Sequence, residues 1–478
     1  MMRKLAALTA IASLSACSLA PPYVRPETPV PPTWPVGDAY LRSSEARLPT
    51  VRYQDVFRDP RLQAIIVQAL ANNRDLRIAA ANIAVTRGQF RIQRAELLPQ
   101  VNAGAGTALR GGAGSNGSTA TTTSFDANVG VTAFEVDLFG RIRSLTSASL
   151  NRYFATEAAA RATRLTLIGD IADAWMSYGA SKSLLKIAAD TVVSAQKSVD
   201  LTKKRLDGGI APRTDLRQAE LVLDTARADA ALQTTALAQD VNALQLLVGA
   251  PVDQATLPNS IDDAAARLAE LPTGLDSSIL LRRPDVVESE YSLRAANAEI
   301  GAARAALFPR ISLTGLLGLA SNALGALFSG GAFSWTAGAS ANYPIFSAGA
   351  GKANVAVSKA QRDAAVATYE RTIQTAFREV ADALARRGTI SEQLAATQDL
   401  RNASADNYQL SFERYRGGIG NFLQSLDAQR SFYSAQRTLV NTQLIRAANL
   451  VTLYRVIGGD SLIEATGKGP FPTPAPTP

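Results

Sequence analysis

The feature that most constrains this chain is that it is written twice. "RLDGGI" at 205–210 returns as "RYRGGI" at 414–419. "ELLPQVNAGAG" (96–106) returns as "ALFPRISLTGL" (306–316), "VDLFG" (136–140) as "YPIFSAG" (343–349), "IADA" (171–174) as "VADA" (380–383), and "LLVGA" (246–250) as "RVIGG" (455–459). The offset stays near 209 residues throughout. A register that steady means duplication of one structural unit, not two unrelated domains.

Each copy has the same order. A helical segment (60–96, about 276–306) leads into two strand-like stretches. A very long helical segment without proline follows (141–207, 350–416), then a Gly-Gly turn and a shorter helix (213–247, about 421–457). The two shorter helical segments of a copy together hold about as many residues as the long one. Stacked end to end beside it, they predict rods of roughly 100 Å at 1.5 Å per residue. Alanine-rich composition suits such helices, and aromatic residues are only 6% of the chain, thin for a large compact core.

The strands are read from period two. In "SFDANVGVTAFEVDLF" Phe125, Ala127, Val129, Val131 and Ala133 alternate with Asp126, Asn128, Gly130 and Thr132. In "FSWTAGASANYPIF" Phe333, Trp335, Ala337, Ala339, Ala341 and Tyr343 alternate with Ser334, Thr336, Gly338, Ser340 and Asn342. No charge lies between Arg310 and Lys352. A membrane-spanning helix is the rival for that stretch, but "SNALGALFSGG" interrupts any apolar run of about 20 residues. Alternation, aromatic strand ends and strands on the 9–11-residue scale fit a membrane β-barrel better. The uncharged "GGAGSNGSTATTTS" (111–124) is expected as the outer loop. Four strands cannot close a barrel, and lipid tolerates no open sheet edge, so the chain is expected to assemble with copies of itself. Two chains would give a filled barrel of eight strands; three would give twelve, with a lumen.

The N-terminus reads as a targeting segment. Arg3 and Lys4 precede an apolar stretch from Leu5 to Leu14 that is too short to span a bilayer. It ends in "LSAC", where Cys17 is the only cysteine, so no internal disulfide framework exists. A small-residue site followed by cysteine resembles the bacterial lipobox; an ordinary signal peptide with an incidental cysteine is the alternative. Beyond Cys17, "PPYVRPETPVPPTWP" reads as an extended tether, and the terminal "GPFPTPAPTP" as disordered.

The net charge of +8 falls to about +6 once Arg3 and Lys4 leave with the signal. Basic residues are scattered among acidic ones, a pattern of solvated helix faces and not of a nucleic-acid surface. With no histidine, the commonest general base and metal ligand are missing. No nucleophile elbow, phosphate loop or dinucleotide fingerprint occurs. No enzyme, cofactor or metal is expected.

Taken in order, "YVRP" after Cys17, "FEVDLFGRIR" (134–143), "LLRRPDVVESEYSLRAANAEIGAARAALFPRISLTG" (280–315) and "LDAQRSFYSAQ" (426–436) resemble the outer-membrane efflux proteins of the TolC superfamily. The likeness is to the lipoprotein branch serving resistance-nodulation-division (RND) pumps. It covers nearly the whole mature chain. It implies an α+β membrane protein forming a homotrimeric TolC-like channel. Four strands per chain would build a 12-stranded barrel in the outer membrane, continued by a long α-helical periplasmic tunnel. It also implies a periplasmic adaptor (membrane fusion) protein, an inner-membrane RND pump, lipid acylation at Cys17, and passive export of drugs or other small toxic compounds. An outer-membrane component of type I protein secretion is one alternative. A pore-less periplasmic coiled-coil lipoprotein scaffold is another, although it leaves the alternating strands unexplained.

The resemblance makes the two Gly-Gly hairpins the periplasmic tips of the tunnel. Gly208, Gly209, Gly417 and Gly418 supply turn conformations that side chains resist, and the same tips are expected to meet the adaptor. Aligning the hairpins puts Asp215 opposite Gln424 and Asp427 opposite Gln218, a stagger of about 4.5 Å along a helix. If both face the lumen, a trimer carries two stacked carboxylate rings, which favour cations. By resemblance Thr214 and Asp215 match the gate pair of the first repeat and Asp427 a gate carboxylate of the second. Tyr415 matches a tyrosine tying neighbouring helices, and Leu423 an apolar plug. Gly420 and Gln424 depart from the pattern, standing where relatives often carry charge. A solvated helix face or a first-turn dipole partner is the plainer reading of the two aspartates.

The expected organisation is therefore a lipoprotein signal (1–16), a Pro-rich tether (17–59), a first repeat (60–250, strands about 98–110 and 124–138), a linker (251–275), a second repeat (276–459, strands about 308–320 and 333–346) and a disordered tail (460–478).

Overall fold

The computed structural model describes residues 18–35, 52–113, 119–270 and 277–472. In chain order the elements are helices α1 (Tyr53–Val56), α2 (Pro60–Asn72) and α3 (Arg74–Ala95), strands β1 (Val101–Ala113) and β2 (Thr119–Val136), then α4 (Arg141–Asp207), α5 (Arg213–Val248), α6 (Ile261–Ala265) and α7 (Pro284–Ala305). There follow β3 (Arg310–Ser321), β4 (Phe333–Asn342), α8 (Ala350–Arg416), α9 (Phe422–Val456) and the short strands β5 (Ile463–Thr466) and β6 (Gly469–Pro472). Helices α4 and α8 each hold 67 residues, with the boundaries read from the repeat. No helix among the described residues is long and apolar enough to cross a membrane.

The segment expected as one helix over 60–96 is two. Asn73 leaves helical geometry at ψ 137°. Its Oδ1 accepts from the Leu76 N–H and its amide donates to the Leu247 carbonyl. Asparagine thus caps the second helix where its side chain competes with the ladder.

The chain divides into two compact units. The first comprises residues 18–27, 82–157 and 288–370. Its sheet is antiparallel in the order β1-β2-β3-β4, so among the described residues β1 and β4 each pair on one side only. Register keeps one face apolar: Val129 pairs with Ala103 and Leu317, Ala127 with Leu319, and Leu317 with Trp335. On the other face Asn128 meets Gly318, Asp126 meets Gly106, and the Ser312 and Ser340 hydroxyls lie 2.9 Å apart. Among the described residues nothing covers the apolar face: Leu317, Phe333 and Trp335 are 57%, 69% and 67% exposed. Register slips between Val131 and Phe134, where Ala133 takes φ +53° and its N–H finds the Thr314 hydroxyl, a bulge that bends the strand. At the end of β2 the Arg141 guanidinium forks onto Glu135, and Phe139 stacks on Phe308 at 4.6 Å. Those residues belong to the two motifs "FEVDLFGRIR" and "ALFPR".

The beginning of the expected tether is bound to α7. Arg304 donates to the Leu19 carbonyl and Asn297 to the Pro21 carbonyl; Tyr23 and Arg25 both donate to Glu290. Residues 290, 294, 297, 301 and 304 recur at three and four, so they share one helix face. Extended residues 19–25 run antiparallel along it.

The second unit comprises residues 28–81, 158–287 and 371–478 so far as they are described. Trp34 is buried and stacks on Phe377 at 4.8 Å. Arg61 bridges Asp59 and Asp263, with its guanidinium 5.3 Å from the Trp175 ring. Arg283 of the RRPD motif binds Asp285, Glu379 and the Val456 carbonyl. The expected linker is partly structured: α6 lies within it, and Phe57 bridges to Leu268. The expected disordered tail is ordered through residue 472. β5 pairs with β6, and Ile463 and Ala465 are buried. Two apolar side chains facing the unit outweigh the proline-rich composition around them. Cys17, residues 1–16, 36–51, 114–118 and 271–276, and the last six residues lie outside the described residues.

Candidate functional site: the paired helix tips

All the residues expected at the gate lie in the second unit. The two turns have one geometry. After α4, the Gly208 N–H donates to the Lys204 carbonyl and the Ile210 N–H to Arg205; after α8, Gly417 donates to Glu413 and Ile419 to Arg414. Gly209 and Gly418 take φ +74° and +77°, a left-handed conformation that L side chains resist. Each long helix therefore ends in a Schellman cap that satisfies its last carbonyls. The turns leave Ile210 and Ile419 exposed, both at 76%, an apolar tip on each hairpin.

Tyr415 is buried, at 4% exposure. Its hydroxyl lies 3.4 Å from the Thr202 hydroxyl on α4. Arg205 stacks 4.3 Å over its ring and donates to its carbonyl at 2.8 Å. A guanidinium over a tyrosine face is attractive by about 0.5–2 kcal/mol, more where desolvated. Around it Ala195, Val199, Ala219, Val222, Leu223, Phe422 and Leu426 form one apolar cluster. Tyr415 thus contacts α4 through Thr202 and Arg205.

Thr214, Leu423 and Asp427 are exposed and Asp215 is half-buried. Asp215 is the third residue of α5 and Asp427 the sixth of α9, so the stagger read from the sequence stands. Neither carboxylate has an ion-pair or hydrogen-bond partner among the described residues. Burial at the head of α5 holds the Asp215 carboxyl above its ordinary range, because desolvation disfavours the charged form. The chain does not bring Asp215 to Tyr415; the tyrosine's partners are Thr202 and Arg205. Neither was singled out from sequence as a partner of the tyrosine. The one available signal was that both hairpins open with an arginine, Arg205 and Arg414, of which only the first is used this way. Gly420 sits close under its own turn: a Cβ there would lie 3.0 Å from the Arg414 Cβ, which accounts for glycine at that departure. No group of three or more potential metal-ligating side chains occurs among the described residues.

The model of the outer membrane efflux protein family matches residues 65–250 and 275–459. The chain is 44% identical over 460 residues to the probable efflux pump outer membrane protein TtgC of Pseudomonas putida, covering 95% of each. It is 39% identical to outer membrane protein OprJ of Pseudomonas aeruginosa, again over 95% of each. The open-state MtrE outer membrane channel of Neisseria gonorrhoeae is similar in structure, with TM-score 0.82 and 35% identity over 94% of this chain and all of that one. One family model matched over both repeats, near full-length relatives and a shared α+β fold agree: the chain belongs to the outer membrane efflux protein family, as an outer-membrane efflux channel of the TolC-like fold.

Proposed function

We propose that the chain works as a homotrimer, in which three four-stranded sheets close a 12-stranded barrel and the duplicated helices continue it as a periplasmic tunnel. The observation that carries this is the sheet itself. Among the described residues its edge strands β1 and β4 are each unpaired on one side, and its apolar face is uncovered. A bilayer admits such a sheet only when closed. The conduit is passive; energy is spent at an inner-membrane RND pump, reached through a periplasmic adaptor that docks on the Gly208-Gly209 and Gly417-Gly418 tips. Its cargo is drugs or other small toxic compounds, in line with relatives named for antibiotic and toluene efflux. Acylation of Cys17 adds outer-membrane lipid as an anchor. Asp215 and Asp427 form two staggered carboxylate rings at the closed end, with Thr214 beside them, Leu423 as an apolar plug and Tyr415 holding the helices. Native mass measurement of the detergent-extracted protein tests the assembly. Three chains in a heat-modifiable species support it; a stable monomer or dimer overturns it.

A further inference from the structure

The two hairpins, α4–α5 and α8–α9, are joined by more than the tip. Above Tyr415, the Gln429 amide donates to the Ser194 hydroxyl at 3.3 Å. Further along, the Tyr433 hydroxyl donates to Asp229 Oδ2 at 2.6 Å, and Arg437 Nη1 reaches the same oxygen at 3.2 Å. Asp229 lies fourteen residues after Asp215 on α5, roughly 21 Å along the helix, so this tie is separate from the tip carboxylates.

The composition of the tie is informative. Nearer the tip the two hairpins share the apolar cluster around Tyr415, which resists separation because opening exposes it to water. A polar tie behaves differently: its groups recover water partners when they part, so the net cost of breaking it is small. The Asp229 side chain is 21% exposed and that of Arg437 45%, so water has access to both. One carboxylate oxygen holds two donors from α9, and both would be lost in one step if α9 moved away from α5.

We propose that Asp229, Tyr433 and Arg437 are positioning residues of the gate: a second latch that holds the α8–α9 hairpin against α4–α5 in the closed state and releases it on opening. This rests on the reading of the helix tips as a gate.

The test is planar-bilayer conductance of the intact oligomer. Tyr433→Phe, Asp229→Asn and Arg437→Ala are compared with wild type, Arg437→Lys and the Asp215→Ala/Asp427→Ala tip variant. The latch predicts a severalfold rise in mean conductance for the first three, near wild-type behaviour for Arg437→Lys, and unchanged oligomer mass and thermal midpoint. The Asp229→Asn/Tyr433→Phe double variant should conduct no more than its stronger single. Asp224→Asn, which removes an exposed pairing with Arg227 on α5 alone, should change nothing. If the tip variant opens while the three latch variants conduct as wild type, the latch is overturned and the gate stands. If the latch variants lose thermal stability without gaining conductance, the tie is structural and the proposal fails. If neither set changes conductance, the gate reading falls with it.

Discussion

Arg25 and Glu290 form an ion pair of 2.9 Å in which the carboxylate is wholly buried. Arg294 joins it at 2.8 Å from the next turn of α7, and Tyr23 adds its hydroxyl. The nearby Glu290 charge and burial together push the Tyr369 hydroxyl up to about 12, burial being the larger cause. The N-terminal strap is thus fastened to α7 through one buried charge. Removing that charge takes the acceptor from two guanidiniums that still reach water (36% and 18% exposed), so the loss is about 1.5–3 kcal/mol, the range for hydrogen bonds to a charged group. Glu290→Gln is expected to lower stability to that extent in chemical denaturation. It should also open residues 18–27 to protease. Arg25→Ala, whose side chain is 36% exposed, is expected to cost less.

Gly301 lies on the same face of α7. A Cβ there would stand 2.7 Å from both the Ala20 Cβ and the Ser144 Oγ. Gly301→Val is therefore expected to lift the strap while leaving the sheet intact. Faster cleavage within residues 18–27 with unchanged β content by circular dichroism would confirm it.

Asp173 on α4 carries a different signature. Burial raises its carboxyl to about 6, with Arg455 only partly offsetting it, and its Oδ1 has no hydrogen-bond partner among the described residues. A raised carboxyl means that the folded state holds the proton more tightly than the unfolded state. Its contribution to stability therefore falls as pH rises from about 4 to about 6 and is flat above. The penalty at neutral pH is at most about 3 kcal/mol. Asp173→Asn is expected to raise stability at pH 7 and to remove that slope between pH 4 and 6 in denaturant titrations.

Leu317 is near the middle of β3, on the apolar face between Val129 and Trp335. An arginine on the lipid face of a barrel costs about 2–4 kcal/mol at mid-bilayer depth. Leu317→Arg is expected to reduce the heat-modifiable oligomer on gels. Thr336→Arg, one rung away on the opposite face, is expected to leave it near wild-type yield. Equal loss in both would mean that the apolar face does not meet lipid.

Much of this fold was legible because its signals are local. The 67-residue helices lack internal proline and end in Gly-Gly, so their rough bounds of 141–207 and 350–416 fall where the helices run. Period two picked out the strands, but the outer loop expected over 111–124 is strand at 111–113 and 119–124, because small uncharged Gly, Ser and Thr residues pair in a ladder without showing an apolar alternation. The tether is extended as the prolines suggest, but its attachment to α7 leaves no local trace, because what holds it, Glu290, is 265 residues away from Arg25. The β5–β6 hairpin was misread because proline-rich composition masks two buried positions, Ile463 and Ala465. At the tips, the glycines and the carboxylate stagger followed from aligning the repeats. The partners of Tyr415, and the Asp229 tie, did not. The repeat equivalent of Asp229 is Thr438, so duplication carries no trace of that tie.

The most direct measurement is single-channel conductance of the purified oligomer in a planar bilayer, beside the Asp215→Ala/Asp427→Ala variant. A small, cation-selective wild-type current that grows severalfold and loses cation preference in the variant is the expected result. Intact trimers that carry no current in either form would contradict the channel; a wild-type current that the variant leaves unchanged would contradict the carboxylate gate.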